Sequence, residues 1–413
     1  MRIWFGGVGL ALLVSACTTI PTEPTYPDPD VENPGAIVIA EPIPTPPTAP
    51  VVQTPAPAPS EPPPEPVVEI PASGFEQLPF WTTHDPRPAL EAFTRGCESW
   101  AEADPKALLN PNLPQYGTYL DWQMTCQAGA VLQSVSPGAA DTRNFFESWF
   151  APVSLSTPSK PDGLLTGYYE PEVEVRLKPT ATFSEPILAK PSDDAILRLP
   201  RSQVNARTSR VIAYGRPIDV FFLQIQGSGR LKYKDGRRLR AAYAANNGQT
   251  YQSIGAVLVR RGEMTLEQAS KQSIAAWMKR NGPAATRALM NENPRYIYFT
   301  EQAIRPNEGP QGAMRVPLTD MGAIAVDPRY HPYGSLFWLE TTLPTKPGDY
   351  RGQRTGLLVA AQDTGGAIKG PLRADLFFGS GADAGNRAGV QKHRAKWTLL
   401  LPRTLSPSSN STS

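Results

Sequence analysis

The sequence predicts a mainly β protein with helices at its amino-terminal side. Three observations carry that expectation. Before residue 150, apolar residues recur at helical spacing. From Leu164 onward they gather into short runs separated by Gly and Pro, the pattern of short strands joined by turns. Many such strands suggest barrels, and no long repeat recurs, which argues against a solenoid.

The 413-residue chain opens with Met1-Arg2, an apolar stretch from Trp4 to Val14, and then Val14-Ser15-Ala16-Cys17. Residues 1–17 read as a signal peptide whose end resembles the bacterial lipobox. Acyl chains on Cys17 would replace a transmembrane helix as anchor, each buried CH₂ contributing roughly 0.8 kcal/mol. Thr18 follows the Cys where an Asp is absent, which in Gram-negative lipoproteins implies the outer membrane, facing the periplasm. Eighteen of the 46 prolines fall between Pro21 and Pro71, so residues 18–72 read as an extended periplasmic tether. At ~3.1 Å per residue such a tether could reach on the order of 150 Å. A Pro-rich ligand for a partner domain is the alternative.

Next come three helical faces. Leu90, Phe93, Cys97 and Trp100 share one; Trp122, Cys126 and Ala130 share another; Asp141 can cap a third carrying Phe146, Trp149 and Phe150. Cys97 and Cys126 are either a disulfide, in an oxidising compartment, or two buried thiols. Leu165–Arg176 alternates as a strand, and Asp219–Gln226 reads as a strand ended by Gly227-Ser228-Gly229. Thr265-Leu-Glu-Gln268 is a capping box for a helix with Ile274, Trp277 and Met278 on its apolar side and Asn281-Gly282 as a stop. Short strands return after Pro310, at 323–326, 336–339, 357–361 and 397–401. The end, 403–413, is a low-complexity tail.

Charge and composition narrow the function. The formal net charge is only +2, but residues 18–71 hold eight acids and no base, so the body from residue 72 carries 39 bases and 30 acids, or +9. A basic body suits an anionic polymer or simply solubility. Nucleic acid is disfavoured, since no helix-turn-helix, RNP motif or Lys/Arg-rich stretch is present. Three His and three Cys argue against a multi-ligand Cys/His metal site. No apolar run after residue 17 is long enough to span a bilayer, which excludes a polytopic membrane protein.

The candidate chemistry lies in Asp363-Thr-Gly-Gly-Ala-Ile-Lys-Gly-Pro-Leu-Arg-Ala-Asp375. Asp375 is flanked by Ala374 and Leu376-Phe-Phe. An acid desolvated by apolar neighbours stays protonated and can donate a proton. The alternative, for Asp375 as for Asp327 and Asp363, is an Asp closing a turn. Gly167-Tyr168-Tyr169-Glu170, Gln224-Ile-Gln226-Gly and Tyr243-Ala-Ala-Asn-Asn247-Gly248 place aromatics and amides beside Gly turns. Sugars need stacking rings and amide partners, and three such clusters together favour carbohydrate.

These segments resemble the membrane-bound lytic murein transglycosylase A family. The matching strings are Leu165-Thr-Gly-Tyr-Tyr-Glu-Pro171, Phe221-Phe-Leu-Gln-Ile-Gln-Gly-Ser-Gly-Arg-Leu231, Tyr243–Ser253 around Asn247-Gly248, Asn291–Tyr296, and the block with Asp327, Asp363 and Asp375, similar to the "three-aspartate" domain. The Asp363-to-Asp375 spacing is one residue longer than in some members.

The resemblance implies a double-psi β-barrel domain, a second β-barrel-like domain inserted into it, and a groove between them. The expected boundaries are 73–163 for the helical part of the barrel domain, 164–304 for the insert and 305–402 for the barrel. It also implies cleavage of the β-1,4 bond between N-acetylmuramic acid and N-acetylglucosamine, leaving a 1,6-anhydromuramic end, with Asp375 as acid then base. Asp363 and Asp327 would support it, and Tyr168, Gln224, Gln226 and Asn247 would line the sugar groove. No metal or cofactor is needed, and the partner is the glycan strand; the sequence says nothing of wall-synthesis or amidase partners. The rival readings are a non-catalytic glycan-binding wall lipoprotein, a hydrolytic glucanase and a structural staple.

Overall fold

The computed structural model describes residues 67–405 apart from 72–73, 267, 306–307 and 347, so the signal peptide, Cys17, nearly all of the tether and the tail from residue 406 lie outside the described residues. In chain order the elements are β1 (Val68–Pro71), α1 (Arg87–Ser99), α2 (Tyr119–Ser134), α3 (Ala139–Trp149), β2 (Phe150–Ser156), β3 (Gly163–Glu170), β4 (Glu172–Arg176) and β5 (Glu185–Leu188). Then follow α4 (Asp194–Leu197), β6 (Val211–Gly215), α5 (Pro217–Gln226), β7 (Gly229–Lys232), β8 (Arg238–Asn246), α6 (Ile254–Arg260), α7 (Lys271–Asn291) and β9 (Ile297–Gln302). The chain closes with β10 (Ala323–Ala325), β11 (Leu336–Leu343), β12 (Gln353–Asp363), β13 (Arg373–Ser380), α8 (Gly381–Ala388) and β14 (Lys392–Pro402).

Among the described residues the strands form two sheets. The first runs β1-β2-β14-β11-β12-β10-β13-β3, and β14 also pairs with β3, so the strands from β14 round to β3 close into a barrel. Closure removes the free edges that would otherwise template aggregation. The barrel is filled by the apolar runs read from the sequence: Leu336–Leu339, Leu357–Ala361 and Leu399–Leu401 are all nearly inaccessible. Gly356 is required there, because a Cβ would lie 2.0 Å from the Trp338 ring. The second sheet, β5-β6-β4-β7-β8-β9, curls round on itself, with a single parallel bridge between Ala189, just past β5, and Phe299 of β9 joining its two ends. The fold is therefore mainly β with two barrel-like sheets, and helices α1–α3 pack on the first.

The amino-terminal helices follow their apolar faces. Leu90, Phe93 and Trp122 are buried in the barrel-side core, and Cys97 and Cys126 form a disulfide with Cα atoms 5.6 Å apart. The bond staples α1 to α2. Asp141 is not itself the cap of α3. It stands three residues inside, and its carboxylate accepts from the Gly138 backbone N–H at 3.3 Å.

Three sequence expectations need correction. Asp219–Gln226 is helix, not strand. Pro217 starts α5 and Gly227, at φ 82°, ends it in the left-handed region. Its apolar residues face two ways, Val220 and Leu223 into the core of the second sheet and Phe221 and Phe222 into a separate cluster with α6 and α7. The unbroken apolar stretch inside it, Val220–Leu223, is too short to show a period that distinguishes helix from strand. Secondly, Leu165–Arg176 is two strands. Pro171, which lacks a ladder donor, separates β3 in the barrel from β4 in the second sheet. The excursion into the second sheet therefore begins after Glu170, and β3, expected in the insert, belongs to the barrel. Thirdly, α7 does not stop at Gly282. The Thr265–Gln268 box forms reciprocally, but Ser270 caps α7, which kinks at Gly282-Pro283 and resumes to Asn291.

Candidate active site

Strand register alone assembles the candidate site. Asp363 at the end of β12 pairs with Ala325 of β10, Ala325 pairs with Asp375 of β13, Asp375 pairs with Thr166 of β3, and Thr166 pairs with Lys392 of β14. Side chains in register share a face, so this row is one surface of the barrel. With strands ~4.8 Å apart, the Asp363 and Asp375 backbones stand roughly 10 Å apart.

Asp375 does not point among its apolar sequence neighbours. Ala374 and Leu376 are fully buried, and the pleat turns Asp375, with its side chain 21% exposed, to the opposite face. There its Oδ1 accepts from Arg373 Nη1 at 2.5 Å and from the Thr166 hydroxyl. Arg373 Nη2 donates to Thr166 Oγ1 at 2.8 Å, closing a triangle. No hydrogen bond to Oδ2 is made within this triangle.

The other two acids are held by the protein. Asp363 is half-buried; its Oδ2 accepts from the Tyr168 hydroxyl at 2.9 Å and its Oδ1 from the Ala313 N–H at 2.9 Å. Burial pushes its carboxyl up to about 6, against the pull of these hydrogen bonds. Burial, reinforced by the carboxylate of Asp363, raises the Tyr168 phenol well above its ordinary value. Asp327 is 2% exposed and accepts from Arg329 Nη2 at 2.7 Å and from the Gly370 N–H at 2.9 Å. Burial alone would raise its carboxyl; the Arg329 and Gly370 hydrogen bonds together outweigh that and hold it low. Gly370 sits at φ 99°, a conformation that glycine adopts without strain. Asp327 thereby pins one end of the Gly-rich loop, while the Thr364 hydroxyl donates to Val326 O at 2.8 Å at the other.

The second lobe approaches this loop. A Cβ on Gly366 would lie 3.4 Å from the Arg295 guanidinium and 3.5 Å from Tyr251, so a glycine there permits close contact. Tyr251 lies near enough to Asp375 for its phenol to feel that charge; burial first, then Asp375, raises it. A cavity of about 240 Å³ opens beside Thr166, walled by β3, α8 and β14 on one side and α5, α6 and α7 on the other.

The amide candidates divide. Gln226 is half-buried, lines this cavity, and its Oε1 accepts from the Tyr169 N–H at 3.0 Å. Gln224 does not reach a groove: it is 3% exposed, and its Oε1 accepts from the buried Arg201. Asn247, 1% exposed, is also internal. Its Nδ2 donates to Leu199 O at 2.8 Å and Pro294 O at 2.9 Å, and its Oδ1 accepts from the Tyr296 N–H at 2.9 Å. Gln224 through its oxygen and Asn247 through both ends of its amide hold parts of the second lobe together. Sequence reasoning missed Thr166, Arg373, Tyr251 and Arg295. Strand alternation could have found the first two, since Arg373 is two residues from Asp375 and Thr166 two from Tyr168.

Fold and site together define a two-lobed β protein with a row of polar and acidic side chains at the junction of its lobes. Residues 198–300 match the MltA-specific insert domain and residues 322–401 the 3D domain. A membrane-bound lytic murein transglycosylase A of Escherichia coli (strain K12) is 36% identical over 241 residues, 57% of this chain and 64% of that protein. The match thus spans under two thirds of the curated relative's length. A lytic transglycosylase of Burkholderia pseudomallei superimposes with a TM-score of 0.54 at 33% identity, over 82% of this chain and 98% of that one. Escherichia coli MltA solved with bound chitohexaose superimposes with a TM-score of 0.61 at 26% identity, over 81% and 94%. The chain belongs to the membrane-bound lytic murein transglycosylase A family.

Proposed function

We propose that this protein cleaves peptidoglycan glycan strands as a lytic transglycosylase, at the β-1,4 bond between N-acetylmuramic acid and N-acetylglucosamine, leaving a 1,6-anhydromuramic end. One observation carries the reading. Of the three aspartates, Asp327 and Asp363 have both carboxylate oxygens engaged by the protein, whereas Asp375 stands partly exposed with its two contacts on one oxygen.

A single acid suffices for this chemistry. In this reading Asp375 gives a proton to the glycosidic oxygen as the C1–O bond breaks. The resulting carboxylate takes the proton from the C6 hydroxyl as O6 bonds to C1, which restores the acid and consumes no water. The nucleophile belongs to the sugar, so its positioning costs little entropy. A hydrolase would need a second free carboxylate to direct water, and Asp363 is committed to Tyr168 and Ala313. Arg373 and Thr166 orient the Asp375 carboxyl. Asp327 and Asp363 fix the loop beside it, Tyr168 holds Asp363, and Gln226 borders the cavity. The chitohexaose complex of the Escherichia coli relative supports a β-1,4-linked oligosaccharide as the occupant. The lobes are read as a barrel assembled from residues before 171 and after 305 with the insert between, and the protein as an outer-membrane lipoprotein anchored through Cys17, facing the periplasm.

The test is digestion of purified murein with mass analysis of the products. The parent is expected to release ends one water lighter than reducing ends, and Asp375→Asn to release none while still binding glycan. Reducing ends from the parent would indicate a hydrolase, and no product from the parent a binding protein.

A further inference from the structure

The cavity beside Thr166 contains a feature that sugar hydroxyls do not account for. Two lysines line it, Lys271 from the second lobe and the exposed Lys392 from the barrel. Lys392 is paired with Thr166, which itself bonds Asp375, so it stands two strands from the proposed acid, roughly 10 Å by strand spacing. Lys271 is half-buried. It donates to the Tyr169 hydroxyl and sits 4.9 Å from the Tyr169 ring centroid and 5.4 Å from that of Phe222. Neither lysine is ion-paired with a carboxylate among the described residues. The aromatic walls hold the Lys271 ammonium in place without neutralising it.

Resting on the transglycosylase reading, we infer that this cavity is an anion-recognising subsite for a carboxylate carried by the muramic acid next to the scissile bond. Muramic acid differs from glucosamine by a lactyl ether at C3. That arm ends in a free carboxylate on peptide-free strands, and elsewhere carries a stem peptide with carboxylates of its own. Placed a few ångströms from the acetal, it brings a negative charge within reach of Lys271 and Lys392. The pocket would therefore set which sugar occupies the site on the Asp375 side of the bond, a distinction that hydroxyls and acetamides common to both sugars cannot make.

The experiment measures binding to the Asp375→Asn protein, which prevents turnover. Three oligosaccharides of equal length are compared: chitohexaose, a peptide-free murein hexasaccharide and its stem-peptide-bearing form. The charged oligosaccharides are expected to bind more tightly than chitohexaose, with a preference that weakens with salt. Adding Lys271→Met or Lys392→Gln should lower that preference about tenfold, as expected for one charge-assisted hydrogen bond, and Lys271→Arg should keep it. A preference confined to the peptide-free form assigns the lactyl carboxylate, and one confined to the peptide-bearing form assigns the stem. A preference unchanged in both lysine variants, or an equal loss for chitohexaose, overturns the inference. If the parent forms anhydro ends and the preference is insensitive to lysine, only this subsite fails; if the parent forms none, the transglycosylase reading fails first.

Discussion

Arg373 and Asp375 stand two positions apart on β13, and their side chains meet at 2.5 Å on the face they share with Thr166. Both are partly exposed, at 18% and 21%, so the pair contributes only about 0–1 kcal/mol to stability. Its role is orientation. Arg373→Met should therefore leave the melting temperature within a few degrees, because a change of ~1 kcal/mol moves a domain of 150–250 residues by about 2–4 °C and a larger one by less. It should lower kcat about 10- to 100-fold with little change in KM, since a small misplacement of the reacting group has effects of that order. Arg373→Lys, which keeps the charge but not the fork, should fall between. Steady-state release of anhydro ends measures this, and an unchanged kcat would remove Arg373 from the site.

Asp327 acts on the loop rather than on substrate. Asp327→Asn removes the charge that accepts from Arg329 and Gly370. Arg329 is 42% exposed and can return to water, so the cost should be about 1–3 kcal/mol. The sign of the pH dependence follows from its depressed carboxyl. The stabilisation is present above the ordinary Asp value and is lost as pH falls through the folded-state value. Urea denaturation should find the variant weaker than the parent at pH 7, with the two converging in strong acid. A difference that stays constant with pH would mean the Asp327 charge contributes nothing.

The barrel was legible because its strands are apolar runs bounded by turn residues, as at 336–339 and 357–361. Asp375 was legible as a residue but not in its surroundings. Ala374 and Leu376 mark the buried face of β13 and say nothing of what Arg373 and Thr166 place on the other. Helix α5 was misread because its apolar residues, Val220 to Leu223, are consecutive and split between two cores rather than spaced along one face. Gln224 and Asn247 were read as sugar ligands since amides beside glycines suit either role. Only burial tells that Arg201 and the Tyr296 N–H take their oxygens. The closing of β14 onto β3, which sets Lys392 beside Thr166, is a contact over 226 residues that no local pattern encodes.

His331 gives the barrel an acid limit. Its ring stacks on Trp397 with centroids 5.6 Å apart; its Nε2 donates to Pro371 O at 2.6 Å, and its Nδ1 accepts from the Tyr116 hydroxyl at 2.8 Å. Both nitrogens are satisfied in the neutral tautomer, and burial pushes the ring down from 6.5 to about 4. Unfolded chains bind that proton near 6.5, so stability is full above this pH and falls between about 6.5 and about 4. The loss should be on the order of 3 kcal/mol at the acid end. His84, half-buried and lowered to about 4, adds to the same slope. His331→Gln should be less stable than the parent at pH 7 and show a shallower decline between pH 7 and pH 4.5, read from urea midpoints. Parallel declines would show that His331 does not titrate on unfolding.

The junction between the lobes rests on a second buried charge. Glu170 ends β3 just before Pro171 carries the chain into the second sheet, and its side chain is 0% exposed. It accepts from Arg230 Nε at 2.8 Å, Arg240 Nε at 2.6 Å and the Ser380 hydroxyl at 2.8 Å, so one carboxylate ties β3 and β13 to β7 and β8. Arg230 is 30% exposed and can rehydrate, but Arg240 is 5% exposed and cannot. Glu170→Gln should therefore cost about 3–5 kcal/mol, the range for a buried cation that loses its partner. Glu170→Leu combined with Arg240→Met should recover much of that, since no buried charge is then left unpaired. Hydrogen exchange should show β7 and β8 losing protection in Glu170→Gln before the barrel strands do. Equal destabilisation by Glu170→Gln and by the double substitution would mean that packing at this corner matters and the ion pairing does not.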